Sequence, residues 1–202
     1  MRQSSLIAQL ARLGFGDPAR AERLLADRVL AGLLDPAEEP GGDAFVTALG
    51  EVPDPDEALT GLIRLLESLD AAGAARLRAV LSSGGPVRDR LLAVLGTSAA
   101  LGDHLARHPD HWTVLAGDGR LPSAGEMRGE LLAAVGAGPP VDALRVAYRR
   151  QLLRFAAHDL VARVPADAMP GVGAALAGLA DAALEAALGD HLARHPDHWT
   201  VL

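Results

Sequence analysis

Residues 53–69, PDPDEALTGLIRLLESL, decide the fold class of this chain. Leu59, Leu62, Ile63 and Leu66 recur at intervals of three and four, the spacing that gathers side chains on one face of an α-helix. Arg64 and Glu67 turn to water on the other side. Asp54 and Asp56, set among Pro53 and Pro55, read as turn and helix-cap residues.

Towards the N-terminus the same period holds. Ser4 to Leu13 carries the stripe Leu6, Ile7, Leu10, Leu13, closed by Gly14. Asp17-Pro18 is a cap followed by proline at the first helical position, and Ala19 to Leu34 continues as helix until Asp35-Pro36. Glu38 to Asp43 is a loop, and a short helix around Ala44 to Leu49 precedes the turn at Val52 to Pro55.

Towards the C-terminus, Ala74 to Leu81 is a helix stopped by Ser82-Ser83-Gly84-Gly85-Pro86. Val87 to Leu95 follows, with Val87, Leu91, Val94 and Leu95 inward. Gly96 ends it, and Thr97-Ser98 caps the next helix. Ala116 to Glu126 is a Gly-rich loop and the first choice for a mobile segment. Val141 to Val164 reads as the longest helix, with Val141, Leu144, Tyr148, Leu152 and Phe155 as its main stripe. Val146, Leu153 and Leu160 lie on other sides, the mark of a helix packed by several neighbours. A final helix begins near Ala174. No stretch shows strand alternation, so the fold class is all-α, an irregular array of short-looped helices.

Composition narrows the function classes. The 202 residues are half hydrophobic but only 3% aromatic, so the core is built from Leu, Ala and Val. There is no Cys, Lys or Asn, and all 19 basic residues are Arg. Absent cysteine removes disulfides, thiolate metal sites and Cys nucleophiles. A net charge of −7 argues against a general nucleic-acid binder, which needs a basic face for phosphates. No basic-then-apolar leader and no uninterrupted apolar run of about 18 residues is found, which leads to the expectation of a cytoplasmic protein without membrane contact.

One 17-residue segment occurs twice. AALGDHLARHPDHWTVL fills 99–115 and, letter for letter, 186–202. Each copy holds His-x-x-x-His-Pro-x-His: His104, His108, His111, and His191, His195, His198. Histidines four apart on a helix can share a metal, and a third can complete the site. Here Leu101, Leu105, His104 and His108 share one face and Asp103 with Arg107 the other, so the histidines edge an apolar stripe. Pro109 breaks the helix before His111, leaving a third ligand without a fixed position. The expected role is structural, with no metal ligands assigned. Trp112 and Trp199 read as core anchors in an aromatic-poor protein. The second copy brings the same apolar face without a second set of neighbours, and is expected to be the least well-packed part of the chain.

Other motifs imitate active sites. Gly41-Gly42 followed by Asp54-Pro55-Asp56 is similar to the Gly-Gly…Asp-x-Asp signature in which two strand carboxylates hold magnesium. Pro53 and Pro55 deny that strand its hydrogen bonds. Ser82-Ser83-Gly84-Gly85 lacks a phosphate-loop lysine, and no serine sits in a nucleophile elbow. Arg145, Arg149, Arg150 and Arg154 form a basic group spread around their helix, with anion binding as the lesser reading. Asp159, on the apolar stripe, is expected to pair with Arg163 and lock the helix. No catalytic, cofactor-binding or metal-binding residue is assigned.

Five segments, in order, resemble the bifunctional glutamine synthetase adenylyltransferase/adenylyl-removing enzyme family of GC-rich bacteria. They are ARLGFGDPARAERLL (11–25), PDPDEALTGLIRLLES (53–68), LGTSAALGDHLARHPDHW (95–112), LRVAYRRQLLRFAAHDL (144–160) and LAGLADAALEAAL (176–188). The third is similar to a Ser-x-x-Leu…Arg-His-Pro segment of the family. The fourth is similar to its Arg-Ile-x-x-Arg-Asp-Leu helix, with Phe155 and His158 in place of Ile and Arg.

The resemblance implies a long enzyme with two nucleotidyltransferase domains, one attaching AMP from ATP to a tyrosine of glutamine synthetase and one removing it by phosphorolysis to give ADP. It also implies magnesium, ATP and ADP as cofactors of the whole enzyme, and glutamine synthetase and a PII-type signal protein as partners. After Leu188, where the family continues into its Asp-x-Asp strand, this sequence returns to its own Gly-Asp-His-Leu segment, so no catalytic carboxylate is carried over. The expectation is therefore an N-terminal helical region over 1–188, inactive by itself, with 189–202 a duplicate of 102–115 and not a native continuation. The alternative is a stand-alone helical adaptor that binds a partner protein through the repeat.

Overall fold

A computed structural model describes residues 2–34, 44–137 and 139–195, with side chains from residue 6 onward, and among these residues it contains helices and no strand. The chain divides into two compact units, Met1–Gly117 and Asp118–Leu202.

The first unit contains α1 (Arg2–Arg12), α2 (Pro18–Leu25), a 3-10 turn Arg28–Leu30, α3 (Ala44–Gly50), α4 (Pro55–Ser68), α5 (Ala71–Ser83), α6 (Pro86–Leu95), α7 (Ala99–Arg107) and a 3-10 segment Pro109–Ala116. Helix α4 is its centre, packed by α2, α3, α5, α6, α7 and both 3-10 segments. Leu59, Leu62, Ile63 and Leu66 are all buried, while Arg64 and Glu67 are exposed, as the spacing predicts. Gly61 lets α6 approach: a Cβ there would lie 3.1 Å from Leu95 Cδ2. Gly96 is tighter still, since a Cβ would meet Val52 Cγ2 at 2.6 Å and the Asp54 carbonyl oxygen at 2.9 Å. Burial of these leucines removes apolar surface from water at roughly 25 cal/mol per Å², which makes α4 the main source of stability in this unit.

Two sequence expectations are corrected here. Helix does not run from Ala19 to Leu34, because α2 stops at Leu25 and the Asp27 carboxylate accepts a hydrogen bond from Val29 N at 2.9 Å, starting the separate 3-10 turn. An Asp that bonds its own local backbone competes with helix continuation. Ile7 is 36% exposed, so the α1 stripe reaches the core through Leu10 and not through Ile7. The loop expected at Glu38 to Asp43 lies outside the described residues.

The second unit is three helices, α8 (Ala124–Ala137), α9 (Pro140–Leu160) and α10 (Pro165–Arg194), each packed on the other two. Met127, Leu131, Phe155, Leu179 and Ala182 make its core, with Ala175 and Ala186 bringing α10 in close. The longest helix is α10, at 30 residues, not the 21-residue α9. Sequence punctuation hid its first turns: Pro165 takes the N1/N2 position, where a missing N–H costs nothing, and Pro170 removes one hydrogen bond inside the helix. The expected α9 stripe also shifts, with Val141 exposed and Leu153 and Gln151 fully buried. By length and composition α10 is apolar enough to cross a membrane, although Asp181 and Glu185 keep it from being an uninterrupted apolar run.

The stretch from Gly117 to Ser123 is non-helical, and its carbonyls are bonded within each unit separately. Arg90 Nη1 donates to the carbonyls of Leu115 and Gly117 at 2.9 and 2.8 Å, and His158 Nδ1 lies 2.8 Å from the Gly119 carbonyl oxygen. Ser123 and Glu126 then open α8 as a reciprocal cap: Glu126 N donates to Ser123 Oγ at 3.3 Å and Ser123 N to Glu126 Oε2 at 2.7 Å. Arg120 also grips this carboxylate. The Arg120 hydrogen bond, then those of Ser123, hold the Glu126 carboxyl far below the ordinary glutamate range. A depressed folded value gives stability that is complete above the unfolded value of about 4.3 and is lost as pH falls towards the folded one. In a carboxyl NMR titration Glu126 should titrate well below the other glutamates, and Arg120→Ala should return it most of the way. An ordinary midpoint in the unsubstituted protein would contradict the cap.

Candidate functional site

The histidine segment is the densest group of titratable side chains in the first unit. Ser98 caps α7, its Oγ accepting from Leu101 N at 3.3 Å, and the helix turns Leu105 and His104 into the core. His104 is 1% exposed. Asp103, on the other face, pairs with Arg64 of α4 at 2.7 Å and with Arg107 at 3.7 Å. The break at Pro109 does not release His111, which corrects the expectation of an unfixed third position. Proline opens a 3-10 segment whose tighter turn carries His111 back to the helix it follows. The His104 and His111 rings come within 5.1 Å and His104 Nε2 lies 3.0 Å from His111 Nδ1, with His108 stacked on His111 at 5.4 Å.

This arrangement is a packed, hydrogen-bonded set of rings. One nitrogen of His104 or His111 donates to the other, which fixes the two rings against each other. Among the described residues no group of three or more His, Asp or Glu is arranged to hold a metal ion. Trp112 follows in the 3-10 segment at 4% exposure, a core anchor as expected. Its indole Nε1 has no hydrogen-bond partner among the described residues.

The copy in α10 has the same letters and different surroundings. Leu188, the counterpart of Leu101, is 59% exposed, and His191, the counterpart of buried His104, is exposed. His191 and His195 rings lie 4.7 Å apart, while Asp190 pairs with its own Arg194 and not with another helix. The expected poorer packing of the second copy holds for its described part. His198 and Trp199 lie outside the described residues.

The remaining imitations of active sites dissolve into structure. Asp54 Oδ1 accepts from Glu57 N at 2.9 Å as the cap of α4, and Asp56 Oδ2 accepts from Gly16 N at 2.6 Å. Both carboxylates hold backbone, and Gly41 and Gly42 lie outside the described residues. Ser82 and Ser83 end α5, their hydroxyls donating to the Gly32 and Val80 carbonyls. In the basic group, Arg150 and Arg154 share Glu130 of α8 at 2.6 and 2.8 Å, and Gln151 Nε2 donates to the same carboxylate at 2.7 Å. Arg145 turns instead to Asp142 at 3.6 Å. Arg150 and Arg154 thus fasten α9 to α8 through Glu130, while Arg145 stays on its own helix. The Asp159–Arg163 pair does not form among the described ion pairs, because α9 ends at Leu160 and Arg163 falls beyond the helix. Glu130 as the hub, and the Ser123–Glu126 cap, escaped the sequence reading. The Ser-x-x-Glu spacing was the available signal for the cap.

Comparison with known proteins places these helices. A bifunctional glutamine synthetase adenylyltransferase/adenylyl-removing enzyme of Streptomyces avermitilis is 44% identical over 189 residues, covering 93% of this chain and 18% of that protein. The Mycobacterium avium protein of that name is 41% identical over 194 residues, and the Mycobacterium tuberculosis protein 40% over 194, each covering 92% of this chain and 19% of the relative. The chain thus spans about a fifth of the length of the curated relatives it matches. No family model matches it. No solved structure matches it either.

Proposed function

Over the residues it shares with them, this chain belongs to the family of the bifunctional glutamine synthetase adenylyltransferase/adenylyl-removing enzymes, and from that premise we propose that it is a helical framework in such an enzyme and not its seat of chemistry. The observation that carries this reading is the 40–44% identity across 92–93% of the chain with proteins of that name. The framework corresponds to residues 1–188, an N-terminal region preceding the adenylyl-removing domain. Residues 189–202, the duplicate of 102–115, stand outside it in this reading.

Among the described residues no group of three or more His, Asp or Glu is arranged to hold magnesium. Asp54 and Asp56 are engaged by backbone N–H groups, and the histidine rings bond one another. Magnesium, ATP and ADP belong in this reading to the rest of a longer enzyme, as does control by a PII-type protein, all in the cytoplasm. The task left to the framework is to hold the adenylyl-removing domain and to contact glutamine synthetase. Purified chain should be retained on immobilised glutamine synthetase above an inert-protein control, and free glutamine synthetase should displace it. Retention no greater than the control would reject the contact.

A further inference from the structure

The surface of α4 and α6 that holds α7 has a second possible occupant, spelled by the same letters. Within the first unit that surface covers Leu105 completely, and Arg64 of α4 meets Asp103 at 2.7 Å. The copy in α10 presents Leu192 and Asp190 at the matching places, with Leu188 uncovered. Identical side chains have identical complementarity to the surface, in shape and in charge. We infer that residues 188–194 of one molecule dock on the α4–α6 surface of a second molecule in place of α7, with Asp190 taking Arg64.

The exchange begins after Ala186, which stays buried in the core of the second unit. What holds the exchange in check is tethering. The first copy is joined to α6 through Gly96, Thr97 and Ser98 alone, which gives it an effective concentration in the millimolar range at its own surface. A copy arriving from another molecule at micromolar concentration starts about a thousandfold behind. Weakening α7 moves that balance, and two molecules that trade segments reciprocally close into a symmetric dimer.

The test uses the full chain. Leu105→Ala loosens α7 without barring it from its place. A fluorescein-labelled peptide of residues 186–202 should then bind at least about tenfold more tightly than it binds the unsubstituted chain, and Leu192→Asp in the peptide should remove the binding. Leu105→Asp excludes α7 altogether and should turn the chain from monomer to dimer in analytical ultracentrifugation, reversed by adding Leu192→Asp. Equal peptide affinity for the two chains overturns the inference, as does binding indifferent to Leu192→Asp. A folded Leu105→Asp chain that stays monomeric, with its own tail filling the surface, overturns it too. If Leu105→Asp does not fold, the peptide measurement on Leu105→Ala decides.

Discussion

Trp112→Ala lowers the stability of the first unit by about 3–5 kcal/mol, the usual loss for emptying a buried tryptophan site. At the size of this unit that is a fall in Tm on the order of 20 °C. The residue is 4% exposed, so its truncation empties buried space. A domain of ordinary stability holds about 5–15 kcal/mol in total, so the loss brings the unit close to unfolding. Trp112→Phe should cost much less, because the deleted Nε1–H makes no hydrogen bond whose partner would be stranded. Chemical denaturation followed by circular dichroism measures both. A loss from Trp112→Ala under about 1 kcal/mol, the size expected of a surface change, would mean that Trp112 does not anchor the core.

Leu105→Ala and Leu192→Ala make the second large contrast, since they delete the same atoms from the same 17-letter sentence. Leu105 is fully buried beneath α4 and α6, and its truncation should cost about 2–5 kcal/mol. Leu192 is half-buried near the end of α10 and should cost under about 1 kcal/mol, alanine's higher helix propensity offsetting part of the lost contact. Measured on dilute protein, the difference isolates tertiary surroundings from local sequence, because local sequence is held constant. Equal losses would show that the second copy is packed as fully as the first.

How much of this was legible beforehand follows from where the information lay. The α4 face was readable because period, cap and solvent side all pointed one way, and Leu59, Leu62, Ile63 and Leu66 are where that agreement placed them. The start of α10 was not readable, because Pro165, Pro170, Gly171 and Gly173 are breakers in local terms and only packing against α8 and α9 overrides them. The stretch around Gly117 was visible only as Gly-rich, because the partners of its carbonyls, Arg90 and His158, come from 27 and 39 residues away. In the histidine segment the stripe was legible and the place of His111 was not. Pro109 was taken as a full stop, whereas a 3-10 segment continues through it and returns His111 to His104. The roles of Asp54 and Asp56 as turn and cap residues were legible from their flanking prolines.

The proposed role of these helices is to support catalysis carried out elsewhere in a longer enzyme. It is tested most directly by incubating purified chain with magnesium, ATP and glutamine synthetase, and separately with AMP-modified glutamine synthetase and phosphate, while following AMP on the tyrosine. The account predicts no transfer and no phosphate-dependent removal above a no-protein control. Turnover in either direction, lost on heating the chain, would contradict it.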